Sequence, residues 1–470
     1  MKRSYTLAVL AIGALSACAP AMRHAPPAAP EPEQAAAQPD RATTERMART
    51  LGVRWNLPPV DLGDDDAGSG SGPVAASWDI DVRTWEDHSR VEFYIGRFGG
   101  SQARGFATWL ERGSVYEPMI RSVFREHGLP EDLYYLALVE SGFEPHAYSR
   151  AAAVGVWQFM AATATGYGLK MNWWLDERRD PVASTVAAAR FLRDLRTQFG
   201  SDFLAAAAYN GGPSRVQRGL NRRGTEISGD PAFFALTEAG YLPRETQNYV
   251  PQLIAAALVA KEPEKYGISV ERRPPLAYDS VMVGPGSSLL AVARAAGVDP
   301  SEVLGLNPHY VRAAVPPGNE QWQVRIPEGT ELVFMERWSA MEQADRRAYT
   351  VVRARAGETL HDVAKRAGIT TRQLATFNPD VRTTAGKLVE QNLRVPLPEI
   401  IAAMPTSPDP ALDRLITANT PQATYTVKSG DTLDGISRRH GVTVRQLQRW
   451  NNMEGRTLIR PGQRLRVAGS

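Results

Sequence analysis

Apolar residues between positions 78 and 266 recur at the spacing of amphipathic helices, and strand-like alternation is nearly absent there. The pattern predicts helices over residues 85–98, 104–126, 131–139, 155–167, 181–199, 203–218 and 245–260. Residues 78–266 are therefore expected to form one all-α domain.

After residue 275 the pattern changes to repeated short units, in which strand-like alternation flanks two helical runs. One unit spans residues 348–397 and a similar one spans residues 423–468, with residues 398–422 between them as a linker. A weaker copy spans residues 276–328 and lacks the sharp Gly-Asp-Thr-Leu turn that begins at Gly430. The sequence thus predicts a multidomain chain in which small α+β modules of βααβ order follow the all-α domain.

The chain begins with a targeting segment, residues 1–17. Lys2 and Arg3 form a positive start, and residues 6–14 are apolar but fall short of the roughly 20 residues that span a bilayer. Cys18, the only cysteine of the chain, follows small residues and resembles the lipidated cysteine of a bacterial lipobox. We expect a signal peptide followed by a lipid anchor at Cys18. The alternative is an ordinary signal peptide with an incidental cysteine.

Residues 18–77 are rich in Ala, Pro, Gly and Gln. Such a composition cannot bury enough apolar surface to offset chain entropy, so it predicts a disordered tether behind the lipidated cysteine. Ala19 stands where lipoproteins retained in the inner membrane carry an aspartate. The lipobox resemblance therefore implies a periplasmic protein anchored to the inner leaflet of the outer membrane.

Composition narrows the range of functions. The 470 residues carry a formal net charge of +3, which gives no support to a nucleic-acid partner, since that needs a concentrated basic face. A single cysteine excludes an internal disulfide and a Cys-rich metal site. The seven histidines are scattered without paired spacing, so the sequence indicates no metal site.

Glu140 is the residue whose position suggests chemistry. It lies at the end of a predicted helix and shares one face with Leu133, Leu136 and Ala137. Desolvation beside such an apolar stripe raises the pKa of a carboxyl group and holds it protonated near neutrality. A glycosidase that donates a proton needs that state. The alternative, from position alone, is a glutamate that only caps or rims its helix.

Four short blocks occur in a fixed order: Glu140-Ser141, then Gly155 to Gln158, then Ala208-Tyr209-Asn210, and finally Tyr249. Together they resemble the soluble lytic transglycosylase (SLT) domain of glycoside hydrolase family 23. Within that family they are similar to the D-type branch of the membrane-bound enzymes, in which tryptophan is typical at position 157. The resemblance covers nearly all of the chain behind the tether and implies a lysozyme-like fold for residues 78–266.

The resemblance implies a peptidoglycan lytic transglycosylase that acts in cell-wall remodelling and turnover. Glu140 would protonate the oxygen of the MurNAc-β-1,4-GlcNAc bond, and would then deprotonate the C6 hydroxyl of the same muramoyl sugar. That hydroxyl closes on C1 and leaves a 1,6-anhydroMurNAc end. One carboxyl group can serve both steps only if its pKa lies near the working pH. No metal or organic cofactor is implied.

The resemblance also assigns roles around Glu140. Ser141 and Gln158 would hydrogen-bond the sugar near the cleavage point. Tyr249 would orient Glu140 or the intermediate. The segment 176–180 is interpreted mainly as scaffold that caps the helix beginning at residue 181.

Four further residues are expected to contact the substrate. Tyr209 and Asn210 would line the cleft, whereas Trp157 and Phe159 would pack against sugar faces or N-acetyl groups. For the two large aromatic residues the alternative is core packing, since such rings are usually buried. For Tyr209 and Asn210 the alternative is a structural role in holding helix ends together.

The repeats resemble LysM modules, which bind glycans that contain N-acetylglucosamine. By that analogy the sugar groove of residues 423–468 lies between two loops, which contain Gly430, Asp431, Thr432, Leu433, Ile459, Arg460 and Pro461. The alternative for Gly430 and Pro461 is that they only make tight turns. The expected partners are thus peptidoglycan strands and, through Cys18, the membrane, with the chain as a monomer.

Two other functions remain open at this point. The same scaffold could support a hydrolytic muramidase similar to goose-type lysozyme, which the residues named above do not exclude. The chain could also be a non-catalytic scaffold that binds peptidoglycan, although the four intact blocks around Glu140 argue against it.

Overall fold

The computed structural model describes residues 78–224, 228–384, 386–405, 424–439, 443–451, 453 and 456–467. The predicted signal peptide, Cys18 and the tether lie outside the described residues, as does most of the predicted linker.

The all-α domain has its predicted class. Its α-helices are α1 (Ser89–Gly96), α2 (Ala103–Glu126), α3 (Tyr135–Ser141), α4 (Ala161–Gly166), α5 (Pro181–Phe199), α6 (Asp202–Gly211), α7 (Pro213–Arg223), α8 (Pro231–Glu238) and α9 (Arg244–Lys261). Short 3-10 turns lie at Arg83–Trp85, Glu131–Tyr134, Glu177–Arg179 and Pro263–Tyr266, and a π-helical turn at Arg97–Ser101. One hydrophobic core unites these helices and includes Phe106, Phe124, Leu136 and Leu253, all fully buried.

Helix α5 shows why the long helices were predictable. Asp180 caps its start, since its carboxylate accepts hydrogen bonds from the backbone N–H groups of Val182 at 2.8 Å and Ala183 at 3.2 Å. Pro181 occupies the first turn, where a missing N–H has no cost, and Gly200 ends the helix in the left-handed conformation. The predicted scaffold role of Asp180 is confirmed, and α2, α5 and α9 match their predicted bounds within one residue.

Three helix predictions were wrong in part. Residues 155–160 form a tight hairpin, in which Val154 and Phe159 exchange backbone hydrogen bonds, so the helix begins only at Ala161. The helix predicted over 203–218 is two helices that meet at Gly212, because the residue before a proline disfavours helical geometry. At 85–98 the α-helix begins only at Ser89.

The described residues contain three βααβ modules, each with one antiparallel strand pair. The proximal module (residues 277–343) consists of β1 (Tyr278–Val283), α10 (Leu289–Ala296), α11 (Pro300–Leu306) and β2 (Trp322–Pro327), and continues through α12 (Glu331–Ala340) towards α13 (Gln343–Arg346). The βααβ order predicted for the weak copy is confirmed.

The middle module (residues 349–396) consists of β3 (Tyr349–Ala354), α14 (Leu360–Arg366), α15 (Thr371–Thr376) and β6 (Gln391–Pro396), with an added hairpin of β4 (Thr383–Thr384) and β5 (Lys387–Leu388). The distal module (residues 424–467) has β7 (Thr424–Thr426), α17 (Leu433–Arg439), α18 (Val444–Trp450) and β8 (Arg464–Arg466). The segment predicted as a linker begins with helix α16 (Pro398–Ala403). Burial of Ile400 stabilises this helix.

Across the part of the chain that the structure describes, no helix combines the length and apolar character needed to cross a membrane.

Candidate active site

Glu140 lies in the last turn of α3, where the helix emerges from the core. Leu136, Ala137 and Leu138 before it are fully buried, and Glu140 is partly buried. Gly142 ends the helix in the left-handed conformation, with φ of 58°. The carboxyl group therefore sits at the rim of the apolar core, as the sequence predicted.

Tyr249 on α9 is the hydrogen-bond partner of this carboxyl group. Its hydroxyl donates to Oε1 of Glu140 at 2.6 Å. Burial raises the pKa of Tyr249 well above its ordinary value, so the phenol keeps its proton and acts as a donor. The prediction that Tyr249 orients Glu140 agrees with this geometry.

The pKa of Glu140 is raised to about 7. Burial is the main cause, the hydrogen bond from Tyr249 opposes it, and the negative charge of Glu245 adds to it. A carboxyl group with this pKa is divided between its acid and its base form near neutrality. It can therefore give up a proton and recover one without a large energetic cost in either direction.

The hairpin of residues 154–159, called the Gln158 loop below, lies beside the end of α3. Ser141 Oγ donates to the backbone oxygen of Val156 at 2.8 Å, and Tyr209 Oη donates to that of Trp157 at 2.7 Å. Gln158 has a positive φ of 48°, which is strained for a residue with a side chain. Its Nε2 donates to the oxygen of Gly155 at 2.9 Å. The loop thus has a strained backbone that its neighbours hold in place.

The predicted sugar contacts of Trp157 and Phe159 are wrong. Trp157 is 0% exposed and Phe159 is 2% exposed, so both rings belong to the core of the all-α domain. The indole Nε1 of Trp157 donates to Thr185 Oγ1 at 2.9 Å, which turns the ring towards the interior. Core packing, the alternative weighed for both residues, is what the structure shows.

The polar groups of the remaining predicted residues also have partners within the protein. Ser141 Oγ and Tyr209 Oη hold the Gln158 loop, as described above, and Asn210 Oδ1 accepts from Thr246 Oγ1 at 2.9 Å. These bonds support the structural alternative for Tyr209 and Asn210. Contact of Ser141, Gln158, Tyr209 and Asn210 with a sugar stays a prediction.

In the distal module the two predicted groove loops lie next to each other. Backbone bonds of 2.8 Å join Val427 N to the oxygen of Gln463 and Gly462 N to the oxygen of Val427, which brings the two loops together. The exposed members are Gly430, Thr432, Arg460 and Pro461, while Asp431 and Ile459 are partly buried.

One groove residue of the distal module was misassigned. The side chain of Leu433 is only 4% exposed and lies in the core of the module, so it offers no contact to a ligand. Asp431 is tied down as well, since its carboxylate accepts from Tyr425 Oη at 2.8 Å and from Lys428 N at 2.7 Å.

A cavity of about 490 Å³ lies elsewhere in the all-α domain, and Glu140 does not line it. Its charged residues pair with one another or with neighbours. Arg121 binds Glu117 at 2.9 Å, and Lys261 Nζ binds Asp132 at 2.6 Å.

Sequence reasoning missed two features of the site. Glu245 lies one helical turn before Tyr249, and that spacing of four residues could have shown that both face Glu140. Arg178 donates to the backbone oxygen of Phe159 at 3.3 Å and so supports the Gln158 loop. No local signal in the sequence indicates that second contact.

The chain matches known proteins along most of its described length. Residues 119–228 match the Transglycosylase SLT domain, residues 277–343 match the "Lytic transglycosylase MltD, LysM-like domain", and residues 425–468 match the LysM domain. The distal module alone is similar to N-acetylmuramoyl-L-alanine amidase XlyA of Bacillus subtilis, with 62% identity over 45 residues, which is 10% of this chain and 15% of that protein.

A crystal structure of the 70 kDa soluble lytic transglycosylase of Escherichia coli aligns at 25% identity with a TM-score of 0.26, over 30% of this chain and 24% of that one. Membrane-bound lytic murein transglycosylase D of Escherichia coli is 30% identical over 375 residues, which cover 75% of this chain and 76% of the relative. With that extent of similarity, and with SLT, MltD-type and LysM matches in order, the chain belongs to the lytic murein transglycosylase D family and is a peptidoglycan lytic transglycosylase.

Proposed function

We propose that Glu140 is both the acid and the base of the transglycosylase reaction. The observation that carries the proposal is a partly buried carboxyl group at the end of a buried helix, which accepts a hydrogen bond from Tyr249 at 2.6 Å. Burial raises the pKa of this group to about 7. Because Tyr249 donates to Oε1, the acid proton resides on Oε2, which is the oxygen left for the substrate.

In the first step Glu140 gives this proton to the oxygen that joins MurNAc to GlcNAc. The bond between that oxygen and C1 of MurNAc breaks, and positive charge develops on the muramoyl ring. In the second step the Glu140 carboxylate takes the proton of the C6 hydroxyl, and O6 bonds to C1. The 1,6-anhydro ring closes, no water is consumed, and Glu140 recovers its proton.

These two reaction steps need one carboxyl group, whereas most glycosidases place two carboxyl groups at fixed separations. The nucleophile belongs to the substrate, so no second protein group has to activate a water molecule. Glu245 is exposed and acts on Glu140 through its charge. Its negative charge favours the protonated form of Glu140, which is the form that starts the reaction.

Digestion of purified sacculi, with mass spectrometry of the released muropeptides, tests the reaction type. Products that are one water lighter than reducing-end muropeptides are expected, because the C6 hydroxyl replaces water. Reducing-end products would instead indicate a hydrolytic muramidase. An absence of soluble products would indicate a scaffold without catalysis.

A Tyr249→Phe variant is expected to change the pH profile of cleavage. The rate should fall as the pH rises through about 7, because the reaction starts from protonated Glu140. The hydrogen bond from Tyr249 lowers the pKa of Glu140, so its loss should raise that pKa and move the falling limb to higher pH. We also expect a maximal rate lower by about tenfold, since the carboxyl group loses its orientation.

A Tyr135→Phe variant is the control for this profile. It removes the hydroxyl of another buried tyrosine, which contacts Arg121 and not Glu140. Its falling limb should stay with that of the parent chain. A Tyr249→Phe limb that does not move, or that moves to lower pH, contradicts the assigned hydrogen bond.

The distal module holds the enzyme on its polymer. Gly430, Thr432, Arg460 and Pro461 are exposed along two adjoining loops, and Asp431 and Ile459 complete them. The match to the LysM domain supports glycan binding by this groove. A weak module on the same chain raises the effective concentration of the catalytic domain at the wall.

A lipid anchor at Cys18 holds the enzyme at the membrane, at the inner leaflet of the outer membrane. The Escherichia coli relative is named membrane-bound, which supports membrane association. The position of Cys18 behind an apolar segment that is too short to span a bilayer supports lipidation as the means.

Two variants, one without the lipid anchor and one without the distal module, separate membrane attachment from glycan binding. A chain in which a cleavable signal peptide without a lipobox replaces residues 1–18 is expected to leave the membrane fraction and appear among soluble periplasmic proteins. A Glu140→Gln chain that ends at Pro405 is expected to bind sacculi at least about tenfold more weakly than the full Glu140→Gln chain, as measured by pelleting. Retention of that chain in the membrane fraction contradicts the anchor, and undiminished pelleting contradicts the glycan-binding role.

A further inference from the structure

The three modules are built alike, so that their residues can be matched. Each has a glycine with positive φ after its first strand: Gly286 at 69°, Gly357 at 88° and Gly430 at 85°. In each, an asparagine after the second helix bonds through Nδ2 to the oxygen of an arginine in the last strand. These pairs are Asn307 with Arg325, Asn378 with Arg394, and Asn451 with Arg466. Arg325, Arg394 and Arg466 therefore occupy equivalent positions.

In the distal module the loop at Gly430 borders the proposed glycan groove. The equivalent loop of the proximal module, at Gly286, is covered by other parts of the chain. Gly286 N donates to the oxygen of Pro316 at 3.0 Å, and Ala348 N donates to the oxygen of Gly286 at 3.1 Å, so the chain covers this loop on both sides. A Cβ at Gly286 would lie 2.7 Å from the hydroxyl of Tyr349. Ser288, which matches the exposed Thr432, is only 3% exposed. The proximal module thus has no open groove for a sugar.

The proximal module instead binds the all-α domain through a buried ion pair. The guanidinium of Arg325 donates to Asp180 at 3.0 Å and 2.8 Å, one bond to each carboxylate oxygen. His309 Nδ1 lies 3.4 Å from the same carboxylate. Burial opposes the charge of Asp180, but Arg325 overcomes it and holds the pKa of Asp180 at about 2. The pair is bidentate, which gives it a defined geometry.

Backbone contacts beside this pair hold the segment before α5. Asp176 N donates to the oxygen of His309 at 2.9 Å, and Val311 N donates to the oxygen of Trp174 at 3.1 Å. Leu175 is 3% exposed and belongs to the hydrophobic core of the proximal module. Residues 174–176 are thus packed into the proximal module.

The same segment supports the Gln158 loop. Both oxygens of Asp176 accept from Arg178 at 2.8 Å, and Arg178 Nη1 donates to the backbone oxygens of Ala152 at 3.2 Å and Phe159 at 3.3 Å. Gly155 packs against the carbonyl of Arg178 so closely that a Cβ would overlap it. A continuous set of contacts therefore runs from the proximal module through Asp176 and Arg178 to Gln158.

We propose that the proximal module is a fixed support of the active site and not a glycan-binding module, with Arg325 as a positioning residue for the Gln158 loop. The inference rests on the proposed function, because it takes the Gln158 loop as part of the site around Glu140. A strained loop needs neighbours that define its conformation. The proximal module supplies them with the surface that faces the all-α domain.

An Arg325→Met variant of the full chain tests the proposal on soluble, uncross-linked glycan strands. We expect kcat to fall by at least about tenfold, since a small displacement of the loop misplaces the reacting ring. KM should stay within about twofold, because the other contacts with the glycan are unchanged. An Arg325→Lys variant keeps the charge opposite Asp180 and should recover part of kcat.

The matched control is Arg394→Met. Arg394 has the equivalent position in the middle module but binds Asp380 and the oxygen of Phe377 within that module. Its kcat should equal that of the parent chain. A folded Arg325→Met chain with parental kcat overturns the proposal, and so does an equal loss of kcat in Arg394→Met.

Thermal melting separates positioning from stability. A purely structural role of Arg325 would lower Tm and leave kcat intact below Tm. If Arg325→Met does not fold, Arg325→Lys decides, since it leaves no unpaired buried charge. A reduced kcat at unchanged KM supports the proposal, and a lower Tm alone overturns it. The Glu140→Gln variant distinguishes a failure of this proposal from a failure of the proposed function. If Glu140→Gln kept its activity, the proposed function itself would be refuted.

Discussion

A Glu140→Gln variant is expected to lose cleavage of sacculi by at least about a thousandfold, while its fold and its binding to sacculi persist. Glutamine has nearly the same shape and still accepts the hydrogen bond from Tyr249, which Glu140 receives at 2.6 Å. Its amide is not acidic enough to protonate the bridging oxygen and not basic enough to deprotonate the C6 hydroxyl. Both chemical steps therefore lose their acid–base partner at once.

The release of anhydromuropeptides, followed by chromatography and mass spectrometry, measures this loss. Glu144→Gln is the control, since it makes the same exchange at a partly buried carboxyl group four residues along the chain, which pairs with Arg112. The control should cleave at the parental rate. Residual cleavage by Glu140→Gln within about tenfold of the parent would show that another group supplies the proton.

The same variant should be more stable than the parent at pH 8. Folding raises the pKa of Glu140 from 4.5 to about 7, so the ionised group opposes folding. Its favourable contribution is complete below pH 4.5 and is lost as the pH rises through 7. Removing the charge should therefore add ~1–3 kcal/mol at pH 8 and nothing at pH 4, as measured by urea unfolding.

The sequence predicted those parts of the molecule that depend on local chemistry. Helix α5 has its cap at Asp180, its proline at the first turn and its glycine at the end, all within one segment of sequence. Glu140 lies at the end of an apolar stripe that is visible in the residues before it. The orienting role predicted for Tyr249 came from a family resemblance, and the hydrogen bond of 2.6 Å from its hydroxyl to Glu140 agrees with that prediction.

The remaining features depend on contacts that the sequence does not encode locally. Trp157 can be buried because Thr185, on α5, accepts a hydrogen bond from its indole N–H. The 155–160 segment has helical periodicity, yet Gly155 and Gln158 adopt positive φ in a hairpin. The position in which the proximal module packs on the all-α domain depends on Asp180 and Arg325, which are 145 residues apart in the sequence. Pattern reasoning has no means of joining residues at that separation.

A Gly155→Ala variant is expected to be strongly destabilised and almost inactive. Gly155 has φ of 84°, and a Cβ there would overlap the backbone oxygen of Arg178, which cannot move aside as a flexible side chain could. The loss of unfolding free energy should exceed about 3 kcal/mol. If the loop moves to relieve the overlap, Gln158 moves with it, and kcat should fall by about a hundredfold or more.

Gly168→Ala separates the steric overlap from the cost of the backbone conformation alone. Gly168 also has a positive φ, of 90°, but the nearest atom to its Cβ would be Arg190 Nη1 at 4.0 Å. That variant should lose only about 1 kcal/mol and keep its activity. Urea unfolding and the rate of cleavage measure both variants. Equal losses in the two would mean that the contact between Gly155 and Arg178 does not constrain the Gln158 loop, and a fully active Gly155→Ala would mean that the loop conformation is not needed for catalysis.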